Sequence, residues 1–189
     1  TIQSRGLGDV YKRQVYDNVL DESICKSMIE KFEINTDQQE ETILKGHRSF
    51  KEITLNKFDD WKPSVDGLYE TFKGRIGQYA KDVNITNIQW PVKYGFEAIR
   101  MKKYMPNNID EFKEHVDVGD YASARRFLVF FLYLDDNEAG ETSFTNYDIK
   151  VKPKAGRLLM FPPTWTYLHT GHKPKDKPKY IIGSYLHYV

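Results

Sequence analysis

The stretch RRFLVFFLYLDD, residues 125–136, decides the fold of this chain. Its middle, residues 127–134, is the longest apolar run in the sequence and contains only aromatic and branched aliphatic side chains. Runs of this length and composition are typical of a buried strand, so we predict one over residues 127–135. Further strands are predicted where similar segments stand between Gly, Pro, Asn and Asp, at residues 96–105, 157–161, 166–171 and 180–189. The sequence therefore predicts a mainly β protein.

Two helices are predicted ahead of these strands. In residues 22–33, Ile24, Met28 and Phe32 recur at helical spacing. Residues 62–83 carry one apolar stripe, which consists of Val65, Leu68, Phe72, Ile76, Tyr79 and Val83. The polar residues 35–46 show no period and predict an exposed loop. Because the helices precede the strands instead of alternating with them, we expect an α+β fold, an antiparallel barrel or sandwich with the N-terminal helices on one face.

The composition limits the classes of function. A chain of 189 residues, 40% of them hydrophobic, is long enough for one domain with its own core. Lys+Arg 28 against Asp+Glu 27 leaves a formal net charge of +1, which gives no global attraction to nucleic acid. No apolar run reaches the roughly 18–20 residues of a membrane span. The single cysteine, Cys25, suits a reducing compartment. We expect a cytoplasmic protein that binds neither nucleic acid nor a membrane.

The first 14 residues, TIQSRGLGDVYKRQ, differ in character from the rest. They have no amphipathic period, no apolar core of a signal peptide and no small-residue cleavage site. The part SRGLGDVYKRQ resembles a translated adapter or assembly artefact. We therefore expect residues 1–14 to be a loosely held leader and residues 15–189 to form the single domain.

A possible metal site follows from two histidines and one aspartate. His115 and Asp117 form a His-x-Asp pair, and His169 lies 52 residues later. In a strand, residues i and i+2 point to the same face, so this imidazole and carboxylate would project side by side. Two His and one carboxylate leave coordination positions open, as non-haem Fe(II) oxygenases require. The same three ligand types also suit zinc, and an isolated His-x-Asp pair is common at surfaces.

Lys179 adds a second element to this pattern. It comes ten residues after His169, across a turn rich in Lys and Pro, so the two residues would lie on consecutive strands. A cation buried inside a barrel is costly unless an anion pairs with it. The carboxylate of a dicarboxylic co-substrate would supply that anion, whereas a zinc hydrolase needs no such anchor.

Seven motifs in a fixed order carry a family resemblance. They are RMKKY (100–104), EHVD (114–117), RRFLVFFLYLDD (125–136), GETSF (140–144), VKPKAGRLLMFP (151–162), YLHTGHKP (167–174) and KYIIGSYLHY (179–188). Their order and spacing resemble the catalytic domain of the prolyl 4-hydroxylase α subunit, a family of Fe(II)- and 2-oxoglutarate-dependent oxygenases. The likeness extends over about residues 15–189 and is densest from residue 94 onward.

This resemblance implies a double-stranded β-helix, the cupin-like jelly roll, with N-terminal helices packed on one face. It implies hydroxylation of a C–H bond in a peptidyl proline or a related residue. Fe(II) is bound as the cofactor, 2-oxoglutarate and O₂ are consumed, and succinate and CO₂ are released. Ascorbate is implied as the reductant that restores oxidised iron. Carried over by motif, the iron ligands are His115, Asp117 and His169, the anchor of the distal 2-oxoglutarate carboxylate is Lys179, and the further co-substrate contacts are Tyr104, Tyr133 and Thr170.

Two departures from the family pattern leave the substrate open. The segment MPNNIDEFKE, residues 105–114, replaces a glycine-rich turn. Ala139-Gly140 stands where Gly-Gly is usual before Glu-Thr. Residues 35–60 and 105–114 are predicted to be loops that recognise a peptide or a small molecule at the barrel mouth. Three alternatives also stay open: a non-oxidative metal-dependent enzyme on the same barrel, a binding module, or a structural jelly roll with incidental histidines.

Overall fold

The computed structural model of this chain describes residues 12–189. That part contains the helices α1 (Glu22–Ile34) and α2 (Lys62–Asp82) and twelve strands. The strands are β1 (Gln14–Tyr16), β2 (Glu40–Leu44), β3 (Arg48–Thr54), β4 (Tyr94–Phe96), β5 (Arg100–Tyr104), β6 (Phe112–His115), β7 (Arg126–Tyr133), β8 (Thr142–Phe144), β9 (Ile149–Val151), β10 (Arg157–Phe161), β11 (His169–Gly171) and β12 (Lys179–Tyr188).

The strands form one curled antiparallel sheet. Its order is β1-β10-β7-β12-β5-β3-β6-β11-β8-β9, with β2 added beside β3 and β4 beside β12. The longest strand, β12, has ten residues and pairs with both β7 and β5. The sheet thereby brings β5, β7 and β12 together with the short strands β6 and β11, between which the histidines lie.

Side-chain alternation along β7 builds two cores from one strand. Leu128, Phe130 and Leu132 point to the helical side, where they pack with residues of α1 and α2 such as Phe32 and Phe72. Val129 and Tyr133 point to the other side, into a smaller cluster inside the curled sheet. Because β7 is buried on both faces, its sequence reads as a continuous apolar run. The helices therefore cover one face of the sheet and leave the inner face for a site.

Both predicted helices are confirmed, and the helix ends differ by one residue from the predicted ones. The strands are confirmed: β10 has the predicted bounds, and β7 and β12 begin one residue earlier than predicted. The predicted strand 96–105 is divided into β4 and β5, and the predicted strand 166–171 is reduced to β11, because residues Trp165–Tyr167 form a 3-10 turn.

The predicted loop over residues 35–46 is wrong, and so is the prediction that residues 35–60 form a loop at the mouth. Residues 40–44 form β2, and the next seven-residue strand is β3, which lies in the sheet between β5 and β6. The reason is that β2 is an edge strand with exposed side chains, held by backbone pairing with β3 and not by an apolar pattern.

The expected leader falls partly outside the described residues, since residues 1–11 are not described. Gln14, which the sequence assigned to the leader, opens β1 and pairs with Met160 of β10. Among the described residues no helix is both long enough and apolar enough to cross a membrane.

Candidate metal centre

His115, Asp117 and His169 converge in the structure. One ligand atom from each lies within 4.8 Å of the others. Nε2 of His115 is 3.6 Å from Oδ1 of Asp117, and Nε2 of His169 is 3.7 Å from Oδ2. The three side chains are at most 8% exposed. The arrangement thus presents two imidazoles and one carboxylate to a common point.

Strand pairing brings the two histidines together. His115 is the last residue of β6 and lies directly opposite His169, the first residue of β11. Asp117 lies outside the strand that contains His115, because β6 ends at His115. The predicted placement of both residues on one strand is therefore wrong. The backbone N–H of Asp117 instead donates to the carbonyl of Pro163 across 3.1 Å. That bond fixes the carboxylate beyond the strand end.

The orientation of each imidazole is set by a backbone carbonyl. Nδ1 of His115 lies 2.6 Å from the Lys113 carbonyl, and Nδ1 of His169 lies 2.9 Å from the Tyr167 carbonyl. A carbonyl only accepts, so Nδ1 carries the proton in each ring and Nε2 keeps its lone pair for a metal. Burial also lowers the pKa of His169, which favours the neutral, ligating form.

Asp117 is held as a carboxylate with one oxygen left over. Oδ1 accepts a hydrogen bond from the Tyr185 hydroxyl at 2.9 Å. Oδ2 is buried and has no hydrogen-bond partner among residues 12–189. Burial by itself raises the pKa of this group, but His169, His115 and the hydrogen bonds outweigh it and lower the pKa to about 2. A buried anionic oxygen without a donor, beside two imidazole lone pairs, fits a divalent cation such as Fe(II).

A cavity adjoins the three residues and reaches Lys179; its volume is about 500 Å³ when the part open to solvent is included. Lys179 is 2% exposed, and its Nζ donates to the carbonyls of Gly140 and His172 at 2.9 and 2.7 Å. In the described part of the chain no carboxylate oxygen lies within 4.0 Å of this Nζ. Burial lowers the pKa of Lys179 to about 7. An anion bound in the cavity would compensate for this desolvation.

Tyr104 and Tyr133 also line this cavity. Tyr104 lies opposite Lys179 in the β5–β12 ladder, and Lys179 Nζ is 4.5 Å from the centroid of its ring. The Tyr133 hydroxyl donates to Thr142 Oγ1 at 2.6 Å. Thr170 lies between the cavity residues His169 and Gly171 on β11 and is not itself in the lining. Because neighbours on a strand point to opposite faces, its side chain faces away from the cavity.

Sequence reasoning missed several lining residues: Lys102, Phe112, Thr142 and Tyr185. The period of two along the strands could have indicated two of them. Lys102 shares its face of β5 with Tyr104, and Tyr185 shares its face of β12 with Lys179. Thr142 stands within GETSF, a motif used only for its place in the order. Phe112 stacks on His115 with ring centroids 3.4 Å apart, a contact no spacing rule predicts.

Residues 99–187 match the model of the 2OG-Fe(II) oxygenase superfamily. The match begins at the residue before β5 and includes all three metal-site residues and Lys179. No curated protein matches the chain.

Solved structures with the same fold include three prolyl hydroxylases. The viral collagen prolyl hydroxylase of Paramecium bursaria Chlorella virus-1, in its 2OG complex, is 19% identical with a TM-score of 0.67, over 94% of this chain and 96% of that one. The Trichoplax adhaerens prolyl hydroxylase, in complex with a peptide fragment of hypoxia-inducible factor, is 14% identical with a TM-score of 0.73, over 94% and 84%. A Pseudomonas putida prolyl-4-hydroxylase is 12% identical with a TM-score of 0.66, over 94% of each chain. The predicted jelly-roll fold is thereby confirmed.

Proposed function

Because residues 99–187 match the 2OG-Fe(II) oxygenase superfamily, we propose that this chain is such an oxygenase and hydroxylates a prolyl residue, with His115, Asp117 and His169 as the iron ligands and Lys179 as the anchor of 2-oxoglutarate. One observation carries the assignment of the site. A buried ammonium without a carboxylate partner and a buried carboxylate oxygen without a donor face the same cavity. The first calls for an anion and the second for a cation, as a metal-bound dicarboxylate would provide.

When bound, Fe(II) supplies the site at which O₂ is reduced as 2-oxoglutarate loses CO₂, one oxygen atom entering succinate and the other the new hydroxyl group. The residues of the chain contribute position and electrostatics. Lys179 holds the carboxylate at the far end of the co-substrate, so that its other end is aimed at the metal. Tyr104 forms the wall beside Lys179, and the Tyr133–Thr142 pair closes the same end of the cavity. Aromatic and aliphatic side chains exclude water around them.

The prolyl substrate is supported by the neighbours. The three similar structures are all named as prolyl hydroxylases, and the Trichoplax adhaerens enzyme is in complex with a peptide. We therefore propose a proline within a peptide or a related small molecule as the substrate of this chain. Ascorbate as the reductant of oxidised iron and a cytoplasmic location stay predictions.

The alternatives from the sequence differ in what they require of Lys179. A zinc or manganese enzyme without oxidation, a binding module and a structural jelly roll have no need of a dicarboxylate anchor. Burying a lysine beside a metal site without an anion lowers stability and serves none of them. Only in the oxygenase does the buried lysine bind a required ligand, the carboxylate of 2-oxoglutarate.

The first test is succinate formation from 2-oxoglutarate by the purified protein with Fe(II) and ascorbate. We expect slow turnover without a primary substrate, abolished in His115→Ala and recovered in Lys179→Ala only at high 2-oxoglutarate. Lys177→Ala is the matched control, because this lysine is not in the cavity lining and its ammonium pairs with Asp135, which follows β7. Absence of turnover, together with absence of 2-oxoglutarate binding to the metal-loaded wild type, would sink the assignment.

The second test concerns the substrate. Short peptides with and without proline are incubated with the active enzyme and examined by mass spectrometry. A gain of one oxygen atom on proline, dependent on 2-oxoglutarate, is the expected product. Oxidation of a different residue in the proline-free peptides would keep the oxygenase and reject the prolyl substrate.

A further inference from the structure

A second cavity continues from the metal site along β5 and β12. Its volume is about 380 Å³ when the part open to solvent is included. It shares five lining residues with the first cavity: Lys102, Val129, Phe131, Ile181 and Tyr185. Beyond them it is lined by Ala98, which precedes β5, by Arg100 of β5 and by Gly183 of β12. We call this space the β5 cavity. It extends from the metal site in the direction away from Lys179.

Two cations face the β5 cavity from adjacent positions. Arg100 and Lys102 lie two residues apart on β5, so both side chains point to the same face of the strand. In the described chain neither side chain makes a hydrogen bond or an ion pair within 4.0 Å. The contacts of the Lys102 ammonium are with aromatic rings, 4.5 Å from the centroid of Phe50 and 5.8 Å from that of Phe112.

Two cations on the neighbouring strands have acidic partners. Arg126 makes two hydrogen bonds to Glu97, at 2.7 and 2.8 Å. Lys103 follows Lys102 on β5, and its side chain points to the opposite face of the strand. It pairs with Glu33 at 2.7 Å. The residue opposite Lys102 on β3 is Glu52, yet no ion pair joins them, and Glu52 accepts from Thr42 instead. Arg100 and Lys102 thus lack the carboxylate partners that Arg126 and Lys103 have.

The register places three cations in a row along one ladder. Lys179 lies opposite Tyr104, Lys102 opposite Ile181, and Arg100 opposite Gly183. Successive positions on one face are separated by two residues, about 7 Å along the strand. The cation of 2-oxoglutarate binding is therefore at one end of the row, and Lys102 and Arg100 continue it into the β5 cavity.

An uncompensated pair of cations in a cavity is unfavourable. Two like charges about 7 Å apart repel, and removal from water adds a cost. Burial lowers the pKa of Lys102 to about 8; Glu52 and Asp117 act in the opposite direction, whereas Arg100 and Arg48 lower the pKa further. An anion between the two side chains would relieve both effects through charge-assisted hydrogen bonds. A neutral ligand would relieve neither.

We propose that Arg100 and Lys102 form an anion subsite that binds a carboxylate of the primary substrate. This inference rests on the proposed function, because that function accounts for both carboxylates of 2-oxoglutarate, one at Lys179 and one at the metal. The enzyme then selects a proline that carries a carboxylate nearby. The carboxylate belongs either to the proline itself, as in a free amino acid or a chain end, or to an acidic neighbour in a peptide.

The test compares probes that differ only in one carboxylate. Binding of N-acetyl-L-proline and of N-acetyl-L-prolinamide is measured by calorimetry on the protein with Fe(II) and 2-oxoglutarate, under nitrogen so that nothing is oxidised. A second pair, acetyl-Asp-Pro-amide and acetyl-Asn-Pro-amide, tests the acidic neighbour. We expect the carboxylate member of one pair to bind about tenfold tighter than its neutral partner or more. The pair that discriminates identifies the source of the carboxylate.

Variants on the two faces of β5 locate the effect. The preference for the carboxylate is expected to disappear in the double variant Arg100→Gln, Lys102→Met and to fall partly in each single variant, which covers a failure of the double variant to fold. Lys103→Met, the same change on the opposite face, should keep the preference. Equal binding within both pairs by the wild type overturns the inference. An unchanged preference for the carboxylate in folded Arg100→Gln and Lys102→Met proteins also overturns it. So does a Lys102→Met protein that loses 2-oxoglutarate binding and keeps the preference.

The binding measurement separates this inference from the proposed function. Succinate formation by the wild type reports on the oxygenase and needs neither cation of the subsite. If succinate forms and the probes bind without preference, the inference fails and the function stands. If no succinate forms and 2-oxoglutarate does not bind, the function fails, and with it the premise that assigns the subsite to a substrate.

Discussion

The hydroxyl of Tyr185 donates a hydrogen bond to Oδ1 of Asp117 across 2.9 Å. Tyr185 is itself held by Arg126, whose guanidinium lies 4.0 Å from the centroid of the tyrosine ring and also donates to the Asp117 carbonyl at 3.1 Å. Glu97 accepts two hydrogen bonds from the same guanidinium. This network fixes the carboxylate through one oxygen and leaves Oδ2 for a metal. It makes Tyr185 a positioning residue of the metal centre.

Tyr185→Phe should weaken metal binding, because it removes the donor to Oδ1 and lets the carboxylate rotate. Partners of metal ligands of this kind are worth about 10–100-fold in metal affinity. The dissociation constant for Fe(II) under nitrogen, measured by competition with a chelator, tests this. Tyr188→Phe, the same change on the exposed end of the same strand, is the control. An affinity equal to that of the wild type in a folded Tyr185→Phe protein would contradict the positioning role.

Lys179→Met should raise the KM for 2-oxoglutarate by about 30-fold or more, since truncating one partner of a buried charge pair costs about 2–5 kcal/mol. Methionine keeps the length of the side chain and removes the charge. Metal affinity should stay within about twofold, because the lysine makes no contact with the three ligands. Lys177→Met serves as the control on the adjoining turn. A KM that does not change would show that the co-substrate carboxylate is bound elsewhere.

The affinity for 2-oxoglutarate should depend on pH through Lys179. Burial lowers the pKa of this ammonium to about 7 in the free protein, while the nearby Glu141 acts in the opposite direction. Only the protonated form binds the carboxylate, so affinity is full below about pH 7. Above that value binding must first take up a proton, and affinity falls by up to about tenfold per pH unit.

Calorimetry of 2-oxoglutarate binding between pH 6 and 9, in buffers of different ionisation enthalpy, measures both the fall and the proton taken up. Lys179→Arg supplies the comparison, because an arginine keeps its charge throughout this range. Its affinity should be flat with pH. A wild-type affinity that is also flat would mean that the amine stays charged in the free protein.

The sequence predicted the fold class and placed some of the candidate site residues on strands. Lys179 opens the strand that the apolar pattern of residues 180–189 indicates, opposite Tyr104 of β5. His169 lies within the strand predicted at residues 166–171, whereas its partner strand β6, which ends at His115, was not among the predicted strands. The strand β2 was missed because backbone pairing with β3 holds it, and such pairing leaves no mark on an exposed sequence.

Side chains that act across the barrel were also missed, for a different reason. Tyr185 lies 68 positions from Asp117, and no local spacing relates the two. Lys102 stood within RMKKY beside an equally charged Lys103, and only the direction of each side chain separates a cavity lysine from one paired with Glu33. The period of a strand predicts which side chains share a face. Which residues of other strands they contact depends on how the sheet curls, and no local pattern in the sequence predicts that.

The close approach of β12 to β7 gives a final prediction, on stability. Gly183 lies opposite Phe131, and a Cβ added to it would come within 2.6 Å of the Phe131 Cβ and 2.7 Å of the Phe130 carbonyl oxygen. Gly183→Ala must therefore push the strands apart and should lower the free energy of unfolding by about 1–3 kcal/mol. Gly74→Ala on α2 is the matched control, because nothing lies within 4 Å of its added Cβ. In a helix interior that change should raise stability by about 0.5–1 kcal/mol. Urea unfolding of the two variants tests whether one substitution has opposite signs at the two sites, and a Gly183→Ala protein as stable as the wild type would refute the close packing of β7 on β12.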